Sequence, residues 1–392
     1  MKLLHQCGHC TKWNVESFQD DGCGDGLILS PVHERKTTLE KHSDDLKRHS
    51  LFDAQFYLPN SQKQKLHTYD FFPEVVADGF STLNFTGVAR RAARLCLDFQ
   101  FQQDYESILI PARHFEQMDP DYTDKQDAYT VQPFLHELAK LQYDKEVILT
   151  LPLTSHMVAS DTYRTHILNW VTSYPEISGV YVIVQFDRKT KQVADSEFLK
   201  SMLVMLTELR AADLSVTVGY TNTESLLYTL VDDVNITFGA YENTRMFSMD
   251  KFLVNDEDRR GPRARIYLPG LLNWIQFNQA ETIRNEDPDT WNEIYSPTHW
   301  GEQAFGQATP PHFSQPGLYR HYFISFSQQF EQLKNVGRLQ RYETLRTWIR
   351  TAQAAYQEVE NNAIDLDPHG LGTHLQPWLD AIGAYYRKFI RT

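Results

Sequence analysis

Two groups of residues in this chain have the types and spacing that chemistry requires. The first is Cys7-Gly-His-Cys10, followed by Cys23. A C-x2-C pair presents two thiolates to one tetrahedral Zn2+, and a third cysteine with a histidine completes a Cys3His set. His33 is the preferred fourth ligand, ahead of His9 and His5. With no fourth cysteine nearby, the same residues also fit unliganded reduced thiols or a redox pair. The expectation taken forward is a structural zinc on Cys7, Cys10, Cys23 and His33, because a small glycine-punctuated segment with little core of its own gains folding free energy from a metal. Cys96, in Ala-Ala-Arg-Leu-Cys-Leu, falls in an apolar helical pattern and reads as a packing residue.

The second group lies where apolar, strand-like runs give way to polar residues. Asn-Ile-Thr-Phe runs into Gly239-Ala-Tyr-Glu-Asn-Thr-Arg245, and Ser-Val-Thr-Val into Gly219-Tyr-Thr-Asn-Thr-Glu224. Other runs end in Gln185-Phe-Asp187 and Ala112-Arg113-His114, and one contains Asp53 and Gln55. Carboxylates spread over several strand ends suit chemistry that builds positive charge on a sugar carbon. One stabilises or attacks the oxocarbenium-like centre while another handles the proton. The candidate catalytic residues are therefore Glu242, Asp187 and Asp53, with Arg113, Gln185, Tyr220, Asn222, Tyr241, Asn243 and Arg245 binding and orienting the substrate. Each also has a structural reading. Glu224 can cap a helix, Asp187 can pair with Arg188 or Lys189, and Gly219 can serve close packing. Trp291, Tyr295 and Trp300 form an aromatic-rich stretch that could stack on a sugar or base, or simply pack.

The elements that must position these groups follow from hydrophobic pattern. Eight short β-branched runs recur: Gly26–Ser30, Leu51–Tyr57, Ser107–Ile110, Glu146–Thr150, Val180–Val184, Ser215–Val218, Asn235–Phe238 and Arg265–Leu268. Helical periodicity separates most of them, clearest in Ser196–Ala212, whose Phe198, Leu199, Met202, Leu203, Leu206 and Leu209 recur at three- and four-residue steps. Strand-helix alternation of this count predicts an α/β fold, a (β/α)8 TIM-like barrel with its site at the C-terminal strand ends. The expected division is a Cys-rich N-terminal lobe over 1–25, a barrel over 26–284 and a loop plus helical extension over 285–392. In that arrangement the basic stretch Asp258–Arg265, just ahead of the last run, falls on the face opposite the site.

Composition narrows the function classes. The net charge of −13 works against broad attraction to nucleic-acid phosphates, although a local basic groove is compatible with it. No apolar run approaches the roughly 20 residues that span a bilayer, and the first residues lack a secretory pattern, so a cytoplasmic protein is expected, with no membrane partner. There is no His-x-His pair, Gly-x-Ser-x-Gly elbow, P-loop or compact glycine-rich phosphate loop. The resulting expectation is an enzyme that hydrolyses or transfers at a glycosidic or N-glycosidic bond of a sugar- or nucleoside-containing substrate. The rival is a non-catalytic barrel that binds a protein partner through its C-terminal helices.

Overall fold

The computed structural model describes residues 1–72, 85–116, 120–186, 191–254 and 261–391. Eight strands form one parallel sheet: β1 Leu3–Gln6, β2 Gly26–Leu29, β3 Ser50–Phe52, β4 Ile108–Ile110, β5 Val147–Thr154, β6 Gly179–Gln185, β7 Ser215–Gly219 and β8 Val234–Phe238. The spatial order β3-β2-β1-β8-β7-β6-β5-β4 brings the first and eighth strands side by side, the arrangement of a nearly closed barrel. At the seam between β3 and β4, the backbone N–H of Glu106 donates to the carbonyl of Ser50 at 3.0 Å. Most strands are apolar and buried on both faces, β5 along its whole length, as parallel strands covered by helices must be.

Two corrections to the sequence reading change what the mouth of the barrel contains. Arg265–Leu268 (β9) is no barrel strand, because it pairs antiparallel with Asn273–Gln276 (β10) in a separate hairpin. Pro269–Leu271 makes the turn and Leu272 takes the left-handed conformation at φ 53°. The missing barrel strand is instead Leu3–Gln6, so residues 1–25 are no appended lobe; they supply β1 and the helix Thr11–Asp20, the first βα unit. This strand escapes pattern reading because half of it is polar. His5 points outward, its Nε2 2.9 Å from the carbonyl of Cys23 and its ring packed on Phe238 and Phe323, while the Oε1 of Gln6 accepts from the Tyr181 hydroxyl at 3.0 Å.

The helix Ser196–Ala211 packs its apolar face as periodicity predicts, with Asp195 as its cap: one carboxylate oxygen accepts from the N–H groups of Glu197 and Phe198, both at 3.0 Å. Beyond the hairpin, Pro316–Lys334 lies against β9 and Thr11–Asp20, and it brings Phe323 and Phe326 onto Phe238 of β8. Leu375–Tyr385 packs on Ser196–Ala211, with the Trp378 indole donating to the carbonyl of Val193 at 2.8 Å. The stretch expected as irregular loop holds two capped helices, Pro288–Ile294 and His299–Phe305. Trp291 stacks on Tyr295 at 4.5 Å in a second apolar core, and the partly buried Trp300 lies under Arg320 at 4.1 Å. Among the described residues, no helix is long and apolar enough to cross a membrane.

Candidate active site at the barrel mouth

β8 delivers its chain to the C-terminal rim and turns sharply at Gly239, where a Cβ would lie 2.2 Å from the hydroxyl of Thr244. The next residues, Tyr241 and the short helix Glu242–Arg245, form one wall of a cleft of about 310 Å3. The hairpin contributes Arg263, Arg265 and Trp274, the segment after β1 contributes His9, and Phe313 and Tyr319 close the far side. Aromatic faces therefore line a space that three arginines and one carboxylate share. The Arg245 guanidinium sits 4.0 Å over the Trp274 ring, Arg265 donates to the Trp274 carbonyl at 3.0 Å, and Arg263 donates to the Gln276 amide oxygen at 3.1 Å. Arg245 is the planar, stacked kind of cation that is preorganised for phosphate or carboxylate, whereas Arg265 is also ion-paired with Asp367.

Glu242 is half-exposed at the rim and ion-paired with Lys191. Partial burial pushes its pKa up, but the charge and hydrogen bond of Lys191, with Arg245 and Arg265 behind them, outweigh this and hold it below the ordinary glutamate value. Lys191 moves down from its own usual value through burial. The cleft therefore holds a carboxylate kept ionised in a cationic surround.

Asp53 lies elsewhere, inside the barrel mouth just past β3, and does not line the cleft. The Tyr57 hydroxyl lies 2.9 Å from each of its carboxylate oxygens, and the Gln55 N–H donates to one at 3.0 Å. Burial pushes its pKa up to about 6 against those hydrogen bonds and the charge of Lys251. Tyr220, in the left-handed region at φ 55°, accepts from the Gln55 amide at 3.1 Å and presents its ring to Lys251, whose Nζ is 3.3 Å from the ring centroid.

The other expected residues divide between these two places and the scaffold. Tyr241, Asn243 and Arg245 meet Glu242 in the cleft; Tyr220 joins Asp53 inside the mouth. Asn222 does not line the cleft; its amide donates to the Lys191 carbonyl at 3.1 Å and to Gln192 at 3.2 Å. Arg113 is buried, with its backbone tied to Gln126 and its guanidinium 5.7 Å from the Tyr129 ring centre. Gln185 ends β6, where its backbone bridges to Phe247. Asp187 lies outside the described residues.

The cysteine set does not converge. Among the described residues, no group of three or more His, Cys, Asp or Glu side chains could hold a metal ion. The reason is topological: Cys7 and Cys10 follow β1 at the C-terminal rim, whereas Cys23 comes after the ten-residue helix Thr11–Asp20 has run back toward the other end, a rise of about 15 Å. Cys7 and Cys23 are buried, which pushes both thiols up, Cys23 to about 11. Burial holds His33 down at about 3, with the charge of Lys251 adding to this.

Sequence reasoning missed Lys191, Lys251, Arg263, Arg265 and Trp274. The signal for Arg265 and Trp274, with Arg263 two residues ahead, was present in Arg-Ile-Tyr-Leu-Pro-Gly-Leu-Leu-Asn-Trp-Ile-Gln, two strand-like runs around a Pro-Gly turn. Reading that run as a hairpin moves the arginines from the barrel's far face to its mouth, where the structure places them. Comparison of the chain with known protein families, curated proteins and solved structures found no match.

Proposed function

We propose that the cleft binds a nucleoside phosphate, or a nucleotide unit of a larger molecule, and that the protein cleaves or transfers at its N-glycosidic bond. The observation that carries this reading is the placing of Glu242 in one 310 Å3 space with Arg245, Arg263, Arg265 and the faces of Tyr241, Trp274, Phe313 and Tyr319. Aromatic faces suit a base, arginine forks suit a phosphate, and a carboxylate held ionised suits the positive charge that develops on the anomeric carbon. In this reading Glu242 stabilises that carbon or orients the attacking oxygen, His9 handles the proton of the departing base, and Asn243 and Arg245 orient the sugar phosphate. Asp53, buried away from the cleft, takes no part.

Nucleoside monophosphates should bind measurably in calorimetry, and the matching unphosphorylated nucleosides at least tenfold more weakly, a difference of about 1.4 kcal/mol. Chromatographic detection of free base, lost in Glu242→Gln, supports the reaction. Binding without any base release or exchange across the common nucleotides would leave a binding module, and equal affinity for both ligand sets would remove the arginines from the argument.

A further inference from the structure

The mouth of the barrel holds a second group that the cleft reading leaves unused. Lys251 lies on the short 3-10 helix Met249–Phe252, which crosses the rim after β8. Long cationic side chains ordinarily bury the stem and keep the charged end in water. Lys251 does the reverse: the residue is only partly buried, yet its Nζ is closed off from solvent and has no hydrogen-bond partner among the described residues. The amine instead sits on the Tyr220 face, with the rings of Phe247 and Phe252 at 5.1 and 5.5 Å. The carboxylate of Asp53, oriented by Tyr57 and Gln55, acts on it electrostatically, with no hydrogen bond or ion pair between the two. One link away, the Nε2 of Gln6 is likewise buried without a partner, while the Oε1 of that amide accepts from Tyr181 and the Tyr220 N–H. A purely structural role leaves this arrangement unexplained, since withdrawing the head from water carries a desolvation cost that an aromatic face and an already bonded carboxylate offset only in part.

We propose that Lys251 is an imine-forming amine, and that the barrel mouth takes a small aldehyde or ketone at its Nζ with Asp53 and Tyr57 moving the protons. A desolvated amine keeps the neutral, nucleophilic form at pH values where exposed lysines are ammonium, and burial drives Lys251 that way, well below the ordinary lysine value. Nζ attacks the carbonyl carbon, the carbonyl oxygen takes a proton from the Asp53–Tyr57 pair, and a carbinolamine forms. The C–O bond then breaks, one Nζ hydrogen leaves as water with that oxygen and the proton it already carries, and the other Nζ hydrogen restores the proton of the pair. The product is a C=N bond at Lys251, balanced with no oxidant, reductant or further reactant. This site is independent of the cleft reading, because Lys251 and Asp53 do not line the cleft.

The test is reductive trapping on the full-length native chain at neutral pH, with glycolaldehyde as the probe and cyanoborohydride to fix the imine, followed by peptide mass mapping. Lys251 should be modified at least about tenfold faster than Lys12, whose side chain is 81% exposed. Unfolding in urea should erase the preference, and Asp53→Asn should slow the labelling without moving it to another lysine. Lys251→Arg should abolish the selective adduct; if that variant does not fold, the native and Asp53→Asn arms decide alone. Glu242→Gln should leave the labelling unchanged, so that failure of the cleft reading and failure of this one stay distinct. A native protein in which Lys251 stays unmodified, or reacts no faster than Lys12, overturns the proposal, whether the amine is ammonium or out of reach of carbonyl compounds.

Discussion

Glu242 and Asp53 are both carboxylates carried just past a barrel strand at the same end of the fold, yet their environments push them in opposite directions. Glu242 stands half-exposed among Lys191 and Arg245 and is drawn below its ordinary pKa; Asp53 is fully buried and raised to about 6. In the cleft, cations outweigh partial burial. Inside the mouth, loss of water outweighs two hydrogen-bonding partners and a lysine. Separation of this kind is how one fold keeps an ionised carboxylate and a proton-exchanging one near neutral pH. It also means that the two residues respond differently to substitution, and that difference is the sharpest way to test the contrast.

The largest effect is expected inside the mouth. Asp53→Ala leaves the Tyr57 hydroxyl and the Gln55 backbone N–H without their shared acceptor in a buried place. Unfolding in denaturant should show a loss of about 2–6 kcal/mol, about 1–3 for each buried donor left unsatisfied. A loss under about 1 kcal/mol would mean that these donors find other partners, and the distinction between the two regions would weaken. Glu242→Gln should do the opposite, changing stability by less than about 1 kcal/mol because its partner is at the rim, while lowering turnover of the nucleotide substrate by about 100-fold or more. Equal effects of the two substitutions on stability would make Glu242 a structural residue.

How much of this contrast was legible in the sequence depended on whether one local pattern determined the position. β2 and β4 to β8 read correctly because parallel strands buried on both faces are continuous apolar runs, and helix-like stretches separate most of them. Glu242 was legible for the same reason, since it follows one of these runs at a fixed short distance. β1 was not, because His5 and the amide oxygen of Gln6 are satisfied by Cys23, Tyr181 and Tyr220, residues remote in sequence or hidden within other elements. Arg263 and Arg265 were misplaced by a single error, taking the first half of a hairpin for a barrel strand. Lys251 carried no signal at all. It looks like any surface lysine until the 3-10 helix turns its head inward over Tyr220, and no period or motif encodes that turn.

A smaller effect sharpens the picture of the cleft itself. Arg245→Lys keeps the charge and loses the flat guanidinium stacked 4.0 Å over Trp274. Affinity for a nucleoside monophosphate should fall about tenfold, close to 1.4 kcal/mol, with a lesser change for the unphosphorylated nucleoside. If both ligands weaken equally, Arg245 supports the aromatic wall and the phosphate contact belongs to Arg263 or Arg265.

The smallest expected effect bears most directly on why Glu242 is ionised. Lys191→Met removes the cation that outweighs partial burial at Glu242 while leaving the Lys191 backbone carbonyl, which accepts from Asn222, in place. The Glu242 pKa should then rise, so the acid limb of the kcat/KM profile should move to higher pH, by less than about one unit for a half-exposed pair. The sign for stability follows from the same shift. A carboxylate whose folded pKa is depressed adds stability above its unfolded value and loses it as pH falls through the folded value, so the variant should be slightly less stable than the parent near neutrality, by about 1 kcal/mol at most, and the gap should close in acid. An acid limb that stays fixed in Lys191→Met would assign it to a group other than Glu242, and a gap that widens in acid would show that the pair is not what holds this carboxylate ionised.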